Sequence, residues 1–117
     1  MIAELRRLHS PDTDDLANWA PESDEFAILV QIMAGPQGSP GEESFDVTVC
    51  SPTWVAGRAA KEGILEGRHL LIVSNYGYNR IYSYIAEYVS SCKGNTWQEV
   101  ATKLARFGHW EFEDYRE

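Results

Sequence analysis

The sequence predicts an α+β fold: an antiparallel sheet of about four strands with about three helices packed on one face. Two observations carry this. Strand-like apolar patterning, broken by loops rich in Gly and Pro, fills the first half. Helix-like periodicity with recognisable caps fills most of the second. The length of 117 residues, with 44% hydrophobic content and no internal repeat or linker, is expected to form one domain over 1–117 with a core that needs no cross-links.

Residues 1–8 mix Ile2, Ala3, Leu5 and Leu8 with Glu4, Arg6 and Arg7, a mixture tolerated at a sheet edge. Residues 9–24 are polar, carry Pro11 and Pro21, and read as a surface loop. Residues 25–34 are apolar on both alternating faces, as in a central strand. Residues 35–41 hold three glycines and two prolines, which makes them a hairpin tip. Residues 43–50 alternate, with Phe45, Val47 and Val49 facing one way and Asp46, Thr48 and Cys50 the other.

Ser51 then reads as an N-cap, with Pro52 at the first helical position, Gly63 as the stop, and Trp54, Val55 and Ala59 as the buried stripe. Residues 67–74 form a fourth strand. A second helix over about 80–92 places Ile81, Ile85, Tyr88, Val89 and Cys92 on its apolar face. Thr96 and Glu99 make a capping box for a third helix, which runs to about Phe107 with Trp97, Val100, Ala101 and Leu104 inward. The tail from His109 alternates aromatic with acid and has room for one more short strand.

Charge is distributed unevenly. The net charge is −8, from 18 acidic and 10 basic side chains. Residues 1–50 hold Glu4, Asp12, Asp14, Asp15, Glu22, Asp24, Glu25, Glu42, Glu43 and Asp46 against Arg6 and Arg7, whereas the remainder is balanced. Such a chain repels phosphate backbones and anionic lipid, so neither nucleic acid nor membrane is the expected partner. It steers a basic protein by long-range attraction. No basic-then-apolar leader and no membrane-length apolar run is visible, so the expected location is the cytoplasm.

Chemical motifs are weak. Asp12 to Asp15 lacks the Gly and Glu that a calcium loop needs at its sixth and twelfth positions, where Ala17 and Ser23 stand. His9, His69 and His109 are scattered, and Cys50 and Cys92 have no metal-ligand spacing. The glycines of residues 35–41 lead into a strand and lack a P-loop lysine. The expectation is no catalytic residue, no metal and no cofactor. Tyr76, Tyr78, Tyr82, Tyr84 and Tyr88 crowd into thirteen residues, more than one helix face can bury. They are either partly core or an exposed anchoring patch. The tail aromatics Trp110, Phe112 and Tyr115 pose the same choice.

Several segments, in order and spacing, resemble one family over essentially the whole chain. They are Ala3-Glu4-Leu5, Leu8-His9-Ser10-Pro11-Asp12, Asp15-Leu16, the run from Gly41 through Pro52 with Trp54-Val55, and Gly67-Arg68-His69-Leu70-Leu71-Ile72-Val73. Cys92-Lys93-Gly94-Asn95-Thr96-Trp97 and Trp110-Glu111-Phe112-Glu113-Asp114-Tyr115 complete the set. The chain resembles the immunity protein 8 family of bacterial polymorphic toxin systems. Residues 35–41 and 56–66 look like its variable parts.

The resemblance implies a non-enzymatic inhibitor that binds the toxic C-terminal domain of a cognate effector. Toxins of these systems are often nucleases with basic clefts, which an acidic domain can occlude. The expected contact residues are Asp12, Asp14, Asp15, Glu42 and Glu43 from the first half, Tyr76, Tyr78 and Tyr84 as aromatic anchors, and Trp110, Glu111, Glu113 and Asp114 from the tail. The oligomeric state is left open. Two other readings remain: a small cytosolic enzyme built on Cys50 and His69, and a regulatory interaction module without a toxin.

Overall fold

Two alternating apolar runs joined by a glycine-rich tip make the centre of the molecule. In the structure, a computed structural model that describes residues 1–113, these are β2 (Ala27–Pro36) and β3 (Glu43–Cys50). They pair antiparallel, with Ala27 opposite Cys50 and Ala34 opposite Glu43. The tip closes tightly. A Cβ on Gly35 would stand 2.1 Å from the Gly41 carbonyl oxygen, so only glycine fits there.

β1 (Ala3–His9) pairs antiparallel with β2 and takes the sheet edge. Its register shifts between Leu5 and Arg7, and Arg6 is the extra residue. The shift turns Arg6 towards the hairpin, where its guanidinium donates to the Pro36 carbonyl at 2.8 Å and pairs with Glu4.

The far edge of β3 is shared. β4 (Leu70–Ile72) runs parallel beside Thr48, Val49 and Cys50, while β5 (His109–Trp110) runs antiparallel beside Phe45 and Asp46. Among the described residues the sheet thus has five strands and is mixed, though mostly antiparallel. The parallel step departs from an all-antiparallel expectation and has a simple cause. A helix, α1 (Pro52–Glu62), lies between β3 and β4, and such a crossover returns the chain in its original direction. β4 is also shorter than the apolar run suggests. His69 takes a left-handed φ of 64°, so the extended backbone begins only at Leu70.

Two helices cover one face. α2 (Tyr78–Ser91) buries Ile81, Ile85 and Val89; α3 (Trp97–Leu104) buries Val100, Ala101 and Leu104. These join Ile28, Val30, Ile32, Phe45, Val47 and Val49 in one core. The α3 cap forms as the sequence predicts at Thr96, whose hydroxyl accepts the Glu99 N–H at 3.2 Å, while the Glu99 carboxylate accepts from Asn95 instead of Thr96. The helix ends at Leu104, and residues 105–107 continue as turns.

α1 corrects the expectation of a buried stripe at Trp54, Val55 and Ala59. None of its residues is buried, and Trp54, Val55 and Ala59 are only half-covered. Its start is nevertheless firmly fixed. The Ser51 hydroxyl oxygen accepts from the Trp54 N–H at 3.2 Å and from the Phe26 N–H at 3.1 Å. On the sheet face opposite the core, Leu29, Gln31, Met33, Ser44, Asp46 and Thr48 remain half-exposed.

Candidate partner-binding surface

Residues 10–26 carry six acids and form neither strand nor helix, yet the segment is fixed along its length. Asp12 donates its N–H to Ser10 Oγ at 3.1 Å, and its carboxylate accepts the Leu29 N–H at 3.1 Å. β1 has ended by that point, so the Asp12 carboxylate serves the edge of β2 in its place. The Asp15 carboxylate accepts from the backbone N–H and side-chain amide of Asn18. Leu16 is buried, and its carbonyl accepts the Tyr76 hydroxyl at 2.6 Å. Tyr76, Trp19 and Phe26 pack edge-to-face, with Trp19 and Tyr76 centroids 4.8 Å apart. Burial, then the neighbouring Tyr78 and Asp15, pushes the Tyr76 hydroxyl up to about 12, so it stays a proton donor at neutral pH.

The segment is an acidic surface held by these contacts. Between Arg7 and Arg58 the sequence has nine acids and no lysine or arginine. Among the described residues, no basic side chain pairs with Asp12, Asp14, Asp15, Glu22, Asp24 or Glu25. Glu42 does have a partner, Arg7 at 2.9 Å, but that pair is solvent-exposed and contributes little.

The other expected contact residues divide by place. Glu43 turns inward, where its Oε1 accepts the indole N–H of Trp97 at 2.7 Å and of Trp110 at 3.0 Å. Trp110 is 6% exposed and stacks on Phe45 at 6.1 Å, so it belongs to the core and offers no surface to a partner. The Glu111 carboxylate accepts the Ser44 N–H at 2.8 Å, and Glu113 pairs with Arg68 at 2.6 Å; both pin the tail. Asp114 lies outside the described residues.

The tyrosines also divide. Tyr76 is half-buried against the acidic segment, and Tyr78 is half-buried beside Tyr82 at 6.0 Å. Tyr84 is 55% exposed and Tyr82 38%. Tyr84 and Ile72 line one pocket beside β4 with Arg80, while Tyr82 lies on the β1 side with Ile2 and Leu5. The tyrosines therefore do not make one patch.

The pair Cys50 and His69 is not assembled. The His69 carbonyl accepts the Thr48 N–H at 3.0 Å, and the His69 Nδ1 meets the Phe107 carbonyl at 3.1 Å. Cys50 is fully buried and free, and burial pushes its thiol up, away from the reactive thiolate. At the same seam, His69 Nε2 and Asp46 Oδ1 are buried without a hydrogen-bond partner among the described residues. Among the described residues, no three His, Cys, Asp or Glu side chains gather as a metal site requires, and no helix is long and apolar enough to cross a membrane.

Sequence reasoning did not single out Trp19, Trp54, Glu22 and Glu25, which the fold brings around one pocket. Only the acids and Trp19 stand together in the sequence; the approach of Trp54 has no local signal. No curated protein and no solved structure matches the chain. The family model of immunity protein 8 matches residues 3–115, nearly the whole sequence. The chain belongs to the immunity protein 8 family.

Proposed function

We propose that this immunity protein neutralises the C-terminal domain of its cognate toxin by stoichiometric occlusion, in the cytoplasm and without catalysis, and that the toxin presents a basic cleft of the kind nucleases use. What supports this reading is the ordered segment of residues 10–26, whose acids pair with no base among the described residues. A preformed acidic surface steers a basic partner and loses no ordering entropy on binding. Asp12, Asp14 and Asp15, with Glu42, supply the field. Tyr78 and Tyr84 supply apolar contacts, and Glu113 adds its charge. Glu43, Tyr76, Trp110 and Glu111 act indirectly, by holding the surface in shape. The engaged His69 imidazole and the buried Cys50 thiol favour this reading over an enzyme.

The test is calorimetric titration of the protein into the C-terminal toxin domain encoded beside it, over a range of salt. One-to-one binding that weakens as salt rises is expected, together with rescue of cells expressing the toxin. One-to-one binding indifferent to salt removes the electrostatic part of the proposal. Absence of binding and of rescue removes the proposal as a whole.

A further inference from the structure

We propose that the pocket between Trp19 and Trp54 receives a lysine or arginine side chain of the partner protein. This rests on the reading above, that the partner is a basic toxin domain, and assigns the place where it is anchored. The pocket has a volume of about 440 Å³; Trp19, Phe26, Ala27 and Trp54 line it together with Glu22 and Glu25, the two carboxylates taken as its rim.

Three features select a cation. First, neither rim carboxylate has a basic partner among the described residues. An anion is repelled there, and a neutral apolar chain strips water from two carboxylates and returns no bond. Second, the walls are aromatic, and an indole face attracts a cation placed over it. The molecule already makes this contact once: the guanidinium carbon of Arg58 lies 5.6 Å from the Trp54 ring centroid. Arg58 is held by Glu62 at 2.6 Å, so it does not neutralise the rim. Third, the sequence makes room for the acid. Glu25 Oε1 lies so close to α1 that a Cβ on Gly57 would approach it to 2.7 Å, and glycine at that position leaves the carboxylate its place.

The pocket is also preformed. Trp19 is locked by Tyr76 and Phe26, and the chain entering Trp54 is fixed by the Ser51 cap. A long cationic side chain entering between two fixed aromatic walls and two carboxylates has the character of an interface hot spot.

The test needs no toxin at first. Acetylated tetra-arginine amide is titrated into the labelled protein at low salt while the indole N–H signals of Trp19 and Trp54 are followed by NMR. Both signals are expected to shift, and Glu22→Gln with Glu25→Gln is expected to weaken the peptide about tenfold. A charge-matched control, Glu66→Gln with Glu87→Gln, lies elsewhere on the surface and is expected to weaken it less than about threefold. Unmoved indole signals, or equal weakening by the two double variants, overturn the proposal.

The same variants are then titrated with the adjacent toxin domain. Wild-type binding that falls about tenfold in the Glu22/Glu25 variant, and not in the control, supports the proposal. Equal binding by wild type and the Glu22/Glu25 variant overturns the pocket while leaving the inhibitory function intact. A toxin domain that ignores the wild type, when the peptide still occupies the pocket, supports the cation site and overturns the assignment of that toxin.

Discussion

Removing the Glu43 carboxylate will loosen the tail from the sheet. One oxygen of Glu43 accepts two indole N–H groups, at 2.7 Å from Trp97 and 3.0 Å from Trp110. Glu43→Ala deprives both of their acceptor. An orphaned buried donor costs about 1–3 kcal/mol, and Trp110 is buried, whereas half-exposed Trp97 recovers part of its loss to water. The expected destabilisation is about 2–4 kcal/mol. Glu43→Gln keeps an oxygen in place and loses only the charge assistance, so it should cost about 1–2 kcal/mol. Urea unfolding followed by tryptophan fluorescence and far-UV circular dichroism reads both values, with the m-value unchanged. Hydrogen exchange adds a local readout, because the Glu111 N–H that bonds Ser44 at 3.1 Å should exchange faster in Glu43→Ala. The reasoning fails if Glu43→Ala costs less than about 0.5 kcal/mol, or if Gln proves as damaging as Ala.

The remaining predictions are briefer. Burial holds Tyr76 neutral to about pH 12 instead of the ordinary 10, so its contribution is fully present below pH 10 and is lost as pH rises from there towards 12. The stability gap between wild type and Tyr76→Phe should therefore be constant below pH 10 and shrink by about 1 kcal/mol above it, a figure discounted for solvent at a half-buried ring. Gly35→Ala drives a Cβ into the Gly41 carbonyl and should cost about 2 kcal/mol or more in the same unfolding assay. Ser51→Ala removes an acceptor shared by the Trp54 and Phe26 N–H groups and should cost about 2–3 kcal/mol. Asp14→Asn leaves the fold untouched and should slow toxin association at low salt in stopped-flow mixing; an unchanged rate would show that this acid does not steer.

Local chemistry made much of the fold legible. The period of two in residues 43–50, the Ser51-Pro52 start of α1 and the Thr96 cap of α3 are signals whose cause and effect lie within a few residues. What escaped depended on distant partners. Nothing near residues 70–72 says that they will lie parallel to β3, and the left-handed backbone at His69 that shortens β4 has no marker in its residue type. The binding surface divided in the same way. Acid excess in the first half was readable, because charge needs no partner to be counted. That Glu43 turns inward to two indoles 54 and 67 residues away was not, nor was the meeting of Trp19 and Trp54 across a pocket.

The shared edge of β3 also sets an order of events during synthesis. On the edge of β3 away from β2, the backbone at Phe45 and Asp46 pairs with Trp110 and His109, far along the sequence. A ribosome adding about 5–20 residues per second needs about 3–13 s to travel from one to the other. Throughout that interval the start of β3 is an open strand edge, the kind that recruits neighbouring chains. Glu42, Glu43 and Asp46 cluster there, and their like charge keeps nascent copies on a polysome apart. The acidity of the first half thus also guards an open strand edge during synthesis, and β5 ends that exposure when it emerges.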